Sequence, residues 1–439
     1  MADLKVSQEN DLGLAGIDGS VEYRVVKSGS TYRQKYQDLL AWINGNVTPA
    51  TPNLQQVLTA GNTTDNNNLY IGLVSGGQTG LSNVGIGVGA LAGGSGGGAV
   101  GYSVGIGEYA GQSDSFNGIA IGGYAGQNMG NANDVIAIGT NAFRTAKNLN
   151  GIAIGGNAGY GQYNVGTGGY TQQTINIGTY AGQYSQGDWN TFIGYLAGSG
   201  QKSSHNIAIG HTSGSGTTNV NDYNISLGYY ANYENVGGNT ISLGQYAGQF
   251  NTGNGCFFAG TYAGFDVESY NQPNTGSSVI AIGYQSAGGN SQSNVIALGD
   301  NAGYLSNSGE SFYAGLNSGF GLNGYGNNAI GSYSLYGASS NYSVAIGIFA
   351  GINNIGDNNV FLGTNAGDSN SASSVVALGN GAGQNNQASN VTILSNDVLP
   401  TFPDDVVASN WFISQTQLSA NCTYFWHDTT LNLIKGYRN

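Results

Sequence analysis

The chain has 439 residues, of which 77 are glycine and only 8% are charged, and its formal net charge is −13. A basic nucleic-acid-binding face is excluded, because between residues 50 and 395 the only Lys and Arg are Arg144, Lys147 and Lys202. Collagen is excluded by the missing G-x-y period, and compositional disorder by regularly placed Ile, Leu, Val, Tyr and Phe.

The first residues, MADLKVSQEN, lack the apolar stretch of a signal peptide, and no apolar run reaches the ~20 residues of a membrane helix. The expectation is a chain made in the cytoplasm with no membrane insertion. Cys256 and Cys422 are far apart and form no CxxC, so both are expected as unpaired thiols.

Residues 18–45 read DGSVEYRVVKSGSTYRQKYQDLLAWING. The pattern predicts a strand from Val21 to Val26, a tight turn over Lys27 to Ser30, a second strand and a short amphipathic helix. Residues 1–50 are therefore expected as a small α+β N-terminal module. Pro49 and Pro52 lie where it ends, before the repeat, and Pro400 and Pro403 lie after the repeat. Proline removes a ladder donor, so these residues bracket a segment of sheet.

Between them, over 51–396, one phrase recurs. A phrase of an apolar residue, any residue, a second apolar residue and a glycine recurs in 19 copies, with Thr191 and Asn328 in place of the first apolar residue in two of them and glycines from Gly72 to Gly379. Of the 18 spacings, 11 are 16 residues, and the last six are all 16. A degenerate copy, NVTILS, follows. A fixed period of this kind marks a repeat architecture. Glycine, Asn and Ser at this density oppose helix, and the period of two inside each phrase is a strand signal. Sixteen residues suffice for two short strands and two turns, with glycine at the corners. The expected fold class is all-β, a parallel β-solenoid or β-roll of about 20 coils, ~95 Å long at ~4.8 Å per coil.

Counted from the motif glycine as position 0, position −1 is Ile or Leu in 17 of 19 copies. Positions −3 and −1 point the same way and are expected to form the core, represented by Ile121, Ile138, Ile154, Ile282, Leu298, Ile346, Leu362 and Leu378. Position −2 faces the other way and is Ala, Ser or Gly in 13 copies. This row, with Ala120, Ala137, Ala153, Ala281, Ala297, Ala345 and Ala377, is expected to pack against another chain. Tyr70, Phe192, Phe258, Tyr313 and Phe361 interrupt it.

Two longer inserts follow Gly155 and Gly260, each stretching the spacing to 23 residues. They supply candidate surface-binding residues Tyr163, Tyr170, Asp266, Glu268 and Tyr270. Asp266 and Glu268 read as a solvated loop rather than the paired carboxylates of a glycosidase. GIGVGAL resembles a phosphate loop only in its glycines, since no GKS or GKT follows. His205 and His211 flank the strand HNIAIGH and read as turn residues rather than metal ligands. Tyr at position +2 (Tyr109, Tyr124, Tyr180, Tyr246, Tyr262 and Tyr333) reads as a stabilising stack between coils. No catalytic residue, cofactor or metal is expected, and the chain does not read as an enzyme. Residues 397–439 form a C-terminal cap, with TYFWHDTTLNLIKGYRN predicted as a hairpin turning near Asp428 to Thr430.

NVIALGDNAG, SVAIGIFAG and GIAIGGNAG resemble the head repeats of the trimeric autotransporter adhesins, over about residues 66–395. That resemblance implies a left-handed roll and a homotrimer. The N-terminal phrase is similar to the module preceding the shaft in many bacteriophage fibre and appendage proteins, and the C-terminal hairpin to their closing hairpins. Together these imply a virion fibre or spike that docks on other virion proteins through its N-terminal module and meets a glycan or protein receptor on the host surface. The alternatives are a bacterial trimeric adhesin head and a polysaccharide-degrading tailspike.

Overall fold

A computed structural model describes residues 83–92, 102–113, 115–129, 131–162, 171–216, 222–265 and 273–395. It also describes strand backbones at 22–27, 30–35, 69–71, 411–415, 423–428 and 433–438. The chain divides into two compact units, Met1–Asp65 and Asn66–Asn439. In the first, Glu22–Lys27 and Ser30–Lys35 pair antiparallel, matching the predicted hairpin. The predicted helix beyond it lies outside the described residues.

The second unit is a parallel β-solenoid of about 17 turns. Each turn contributes a strand, most of them only three residues long, such as Ile207–Ile209, Val344–Ile346 and Val360–Leu362. From Val84–Ile86 to Val376–Leu378 each such strand pairs in parallel with the equivalent strand of the turns before and after. Ala345 thus registers with Ala329 and Phe361, and Ile346 with Ile330 and Leu362. Trp411–Gln415 pairs parallel with Thr392–Ser395, and Thr423–Asp428 and Leu433–Arg438 pair antiparallel as predicted.

A second short strand of the expected kind pairs in parallel at Asn148–Leu149 with Thr171–Gln172 and at Asn307–Gly309 with Asn323–Tyr325, while the return leg after the motif glycine is not a strand. Its backbone alternates between right- and left-handed residues. In one coil Gly347, Phe349, Gly351 and Asn353 have φ of 142, 59, 66 and 51°. The alternation still satisfies the backbone, because successive amides bond to opposite neighbours. Phe349 N donates to Ser332 O of the preceding coil at 2.9 Å, and Gly351 N to Ala366 O of the following one at 2.8 Å. Left-handed Tyr, Phe and Asn are individually unfavourable, and the ladder on both sides holds them there.

The core reverses the predicted assignment. Ala120, Ala137, Ala153, Ala281, Ala297, Ala345 and Ala377 are all 0% exposed inside a single chain. They are core, not an outer packing row. Ile121, Ile154, Ile282, Ile346 and Leu362 are 36–42% exposed, and Ile138, Leu298 and Leu378 are half-buried. The physical reason is thickness. The opposite wall carries buried Ala at position +3 (Ala158, Ala197, Ala350, Ala366) and mostly Gly at +4, so the two legs lie too close for a large side chain on both walls at once.

Volume is conserved across that gap. Where position −2 is aromatic, as in Phe192, Phe258, Tyr313 and Phe361, position +4 of the same coil is Gly198, Gly264, Gly319 and Gly367. A Cβ on any of these glycines would strike the ring. Where +4 is large, as in Leu91, Phe143 and Leu335, position −2 is Gly85, Ala137 and Ala329.

Polar residues line the remaining interior as ladders. Asn251, Asn274 and Asn290 each donate from Nδ2 to Oδ1 of the Asn one coil earlier, all at 2.9 Å; Asn370 and Asn386 do the same. On another column Asn190, Asn206 and Asn224 accept the backbone N–H of the following coil at 2.8–2.9 Å. These ladders pair the buried amides without any charge.

Candidate interaction surface

The strand face turned to solvent is the chain's most unusual surface. Its two columns, positions −3 and −1, are stacked in register and carry no charged residue. Ile119, Ile207, Ile280 and Ile296 in the first column are 38–39% exposed, and Ile209, Ile282 and Ile346 in the second are 40–42% exposed. At about 17 turns of ~4.8 Å and a width of ~10 Å, the ribbon covers on the order of 800 Å². A patch of that size exceeds the largest found on a typical monomer and equals one side of a standard protein interface.

Aromatic ladders run beside it. Ring contacts link Tyr180, Tyr195, His211, Tyr229 and Tyr246, and Tyr246 stacks on Tyr262 at 4.9 Å and 2°. Before the strand, His205 is stacked between Trp189 at 4.8 Å and Tyr223 at 4.7 Å. Both histidines, read from sequence as turn residues, are thus built into stacks, and Thr212 Oγ1 lies 2.8 Å from His211 Nδ1. In the stacked pairs the ring faces are covered by neighbouring rings. That geometry stabilises adjacent coils more than it offers a platform for a flat ligand.

The perturbed groups are structural. Burial pushes the Tyr313 phenol up, against the opposing pull of hydrogen bonds to Ser306, Ser308 and Ser311. Burial likewise raises the Cys256 thiol, whose Sγ lies 3.4 Å from Gly276 O. Among the described residues no group of three or more His, Cys, Asp or Glu converges as a metal site. No described helix is long and apolar enough to cross a membrane. The candidate loop residues Tyr163, Tyr170, Asp266, Glu268 and Tyr270 lie outside the described residues.

Sequence reasoning named the right residues for this surface but placed them inside. The signal that assigns the faces is the reciprocity between positions −2 and +4, visible only when the two are compared coil by coil. Compared with protein-family models, curated proteins and solved structures, the chain finds no match.

Proposed function

We propose that this protein is a structural fibre or spike of a virion, that of a bacteriophage, and that it mediates attachment to the host cell surface as a rigid homotrimeric rod rather than as an enzyme. The observation that carries this reading is the uncharged apolar ribbon. A solenoid with such a face along its strands is suited to lie against further copies of itself. The resemblance of the Φ-A-Φ-G repeat to trimeric adhesin heads supports three left-handed rolls about one axis. The resemblance of the chain's two ends to phage fibre proteins favours a virion over a bacterial surface.

In this reading the N-terminal module docks on other virion proteins, and exposed loops or the C-terminal hairpin meet a host glycan or protein. Many weak contacts on one rod add up by multivalency. No nucleic acid, cofactor or membrane insertion enters. Native mass spectrometry tests the assembly: a species three times the 44.9 kDa chain is expected, and a monomer overturns it. Labelling of the source particle under the electron microscope tests the location. The tailspike alternative predicts steady release of reducing ends from host polysaccharide by the purified protein, and none is expected.

A further inference from the structure

Two strands of the exposed ribbon depart from its pattern in the same way. Among the 19 motif copies, position −3 is Phe only at Phe257 and Phe312, and position −1 is Ala only at Ala259 and Ala314. The large and small exceptions therefore always share a strand. Phe257 and Ala259 lie on the open face, as do Phe312 and Ala314, with the interior taken by Phe258 and Tyr313.

The interior aromatic does not explain the alanines. Phe192 and Phe361 are equally buried, yet Ile193 and Leu362 beside them stay large. The alanine follows the surface Phe. On a face open to water there is no volume to conserve. Compensation of this kind belongs to a surface that something packs against at a fixed height.

We propose that Phe257 and Phe312 of one copy pack over Ala259 and Ala314 of the next, locking parallel copies in register along the rod. The inference rests on the homotrimer reading above. Rotation about an axis parallel to the rod brings the −3 column of one copy against the −1 column of its neighbour at the same height, so each Phe meets an Ala. A slip of one coil sets Phe257 against Leu243 or Ile282, and Phe312 against Leu298 or Ile330. Antiparallel pairing sets the −3 column against itself, so no Phe meets an Ala. The two locks stand three coils apart, ~14 Å along the axis. The complement of each Phe lies in this same chain, which is why the occupant is a second copy and not a foreign protein.

The test uses the full chain with Cys256→Ser and Cys422→Ser; Ser already occupies the Cys256 column at Ser311 and Ser343. Phe257→Cys, Ala259→Cys and the double variant are oxidised with copper phenanthroline and run on non-reducing gels. Positions 257 and 259 of one strand lie ~6.6 Å apart, too far for an internal bridge between their parallel Cβ atoms. The expected result is a covalent trimer from the double variant and uncrosslinked chain from each single one. Phe312→Cys/Ala314→Cys is the independent second pair and is expected to behave alike.

An assembled chain whose double variants do not crosslink, or whose single variants do, overturns the lock and leaves the assembly standing. Crosslinking that stops at a covalent dimer upholds the lock and overturns the three-fold order. A chain that is monomeric before oxidation overturns both.

Discussion

Replacing Gly347 by Ala tests the geometry of the coil corner independently of any assembly. Gly347 has φ of +142°, and a Cβ built on it would lie 2.7 Å from the carbonyl carbon of Gly363 and closer still to its oxygen. The obstacle is backbone, so no side chain can move aside. The φ region itself is essentially closed to residues with a Cβ, at a cost of ~1–3 kcal/mol. Relief of the contact pulls adjacent coils apart at this corner. That weakens the bond from Gly363 N to Ile346 O (2.9 Å), at about 1 kcal/mol net. The sum is about 2–4 kcal/mol, confined to neighbouring coils because a solenoid opens locally. Hydrogen exchange of the full chain should show the amides of Gly347 to Gly379 exchanging ~30- to 10³-fold faster, at ~1.4 kcal/mol per decade. Gly123→Ala is the control. A Cβ there meets no atom within 4 Å, φ is not positive, and the change should be neutral or stabilising by up to ~1 kcal/mol. If Gly347→Ala exchanges like the parent chain, the corner argument is wrong.

Phe361→Ala empties a fully buried site whose ring lies against Gly367. It should cost about 3–5 kcal/mol by the same exchange measurement, with the largest effect in the coils of Gly347 and Gly363. Burial raises the Cys256 thiol and the Tyr233 phenol as well, so the alkaline limb is shared with Tyr313. Its folded phenol stands above the ordinary value, so its contribution is complete below about pH 10 and lost as pH rises further. In the Cys256→Ser/Cys422→Ser chain, which removes the earlier titration of the raised thiol, thermal melts should therefore be flat from neutral pH to about pH 9 and fall beyond it. Tyr313→Phe should reduce that fall. At neutral pH it should cost ~0.5–1.5 kcal/mol for the lost 2.9 Å contact with Ser306. Cys256 is buried and its thiol is raised. In a Cys422→Ser chain, Ellman's reagent should react with it at once in denaturant but on the timescale of local opening in the native fold; rapid native reaction would place it outside the core.

The solenoid, its period and its parallel register were legible because each follows from local pattern. The spacing of Gly331, Gly347, Gly363 and Gly379 sets the coil, and Val344-Ala345-Ile346 alternates as only a strand does. The inward face was not legible from alternation, since a period of two defines two faces without saying which is inside. Hydrophobicity favoured Ile346 over Ala345. The deciding fact was the proximity of the opposite leg, a contact between Ala345 and the turn carrying Ala350 and Gly351, beyond the reach of any single strand's pattern. The left-handed return leg escaped for a related reason. Tyr and Phe at position +2 are poor left-handed residues alone, Asn less so, and the ladder to the coils on either side holds them there.

The reversal of faces also changes what the low charge means. With alanine inside most coils, the Ile, Leu and Val side chains stand on the outside in two columns, interrupted by Thr191 and Asn328 in one and by Ala259 and Ala314 in the other. A Lys or Glu in either column would lie ~4.8 Å from its counterpart in any coil that repeated it, and against an apolar neighbour in an assembly. Asn ladders serve the interior for the same reason. An amide both donates and accepts, so Asn251, Asn274 and Asn290 bond in series where a carboxylate column would repel itself. Inside and outside thus obey one constraint, that every side chain be compatible with a copy of itself one coil away. On the exposed ribbon that constraint allows Ile, Leu and Val in any number, and an apolar surface of that extent is the kind that serves as an interaction site.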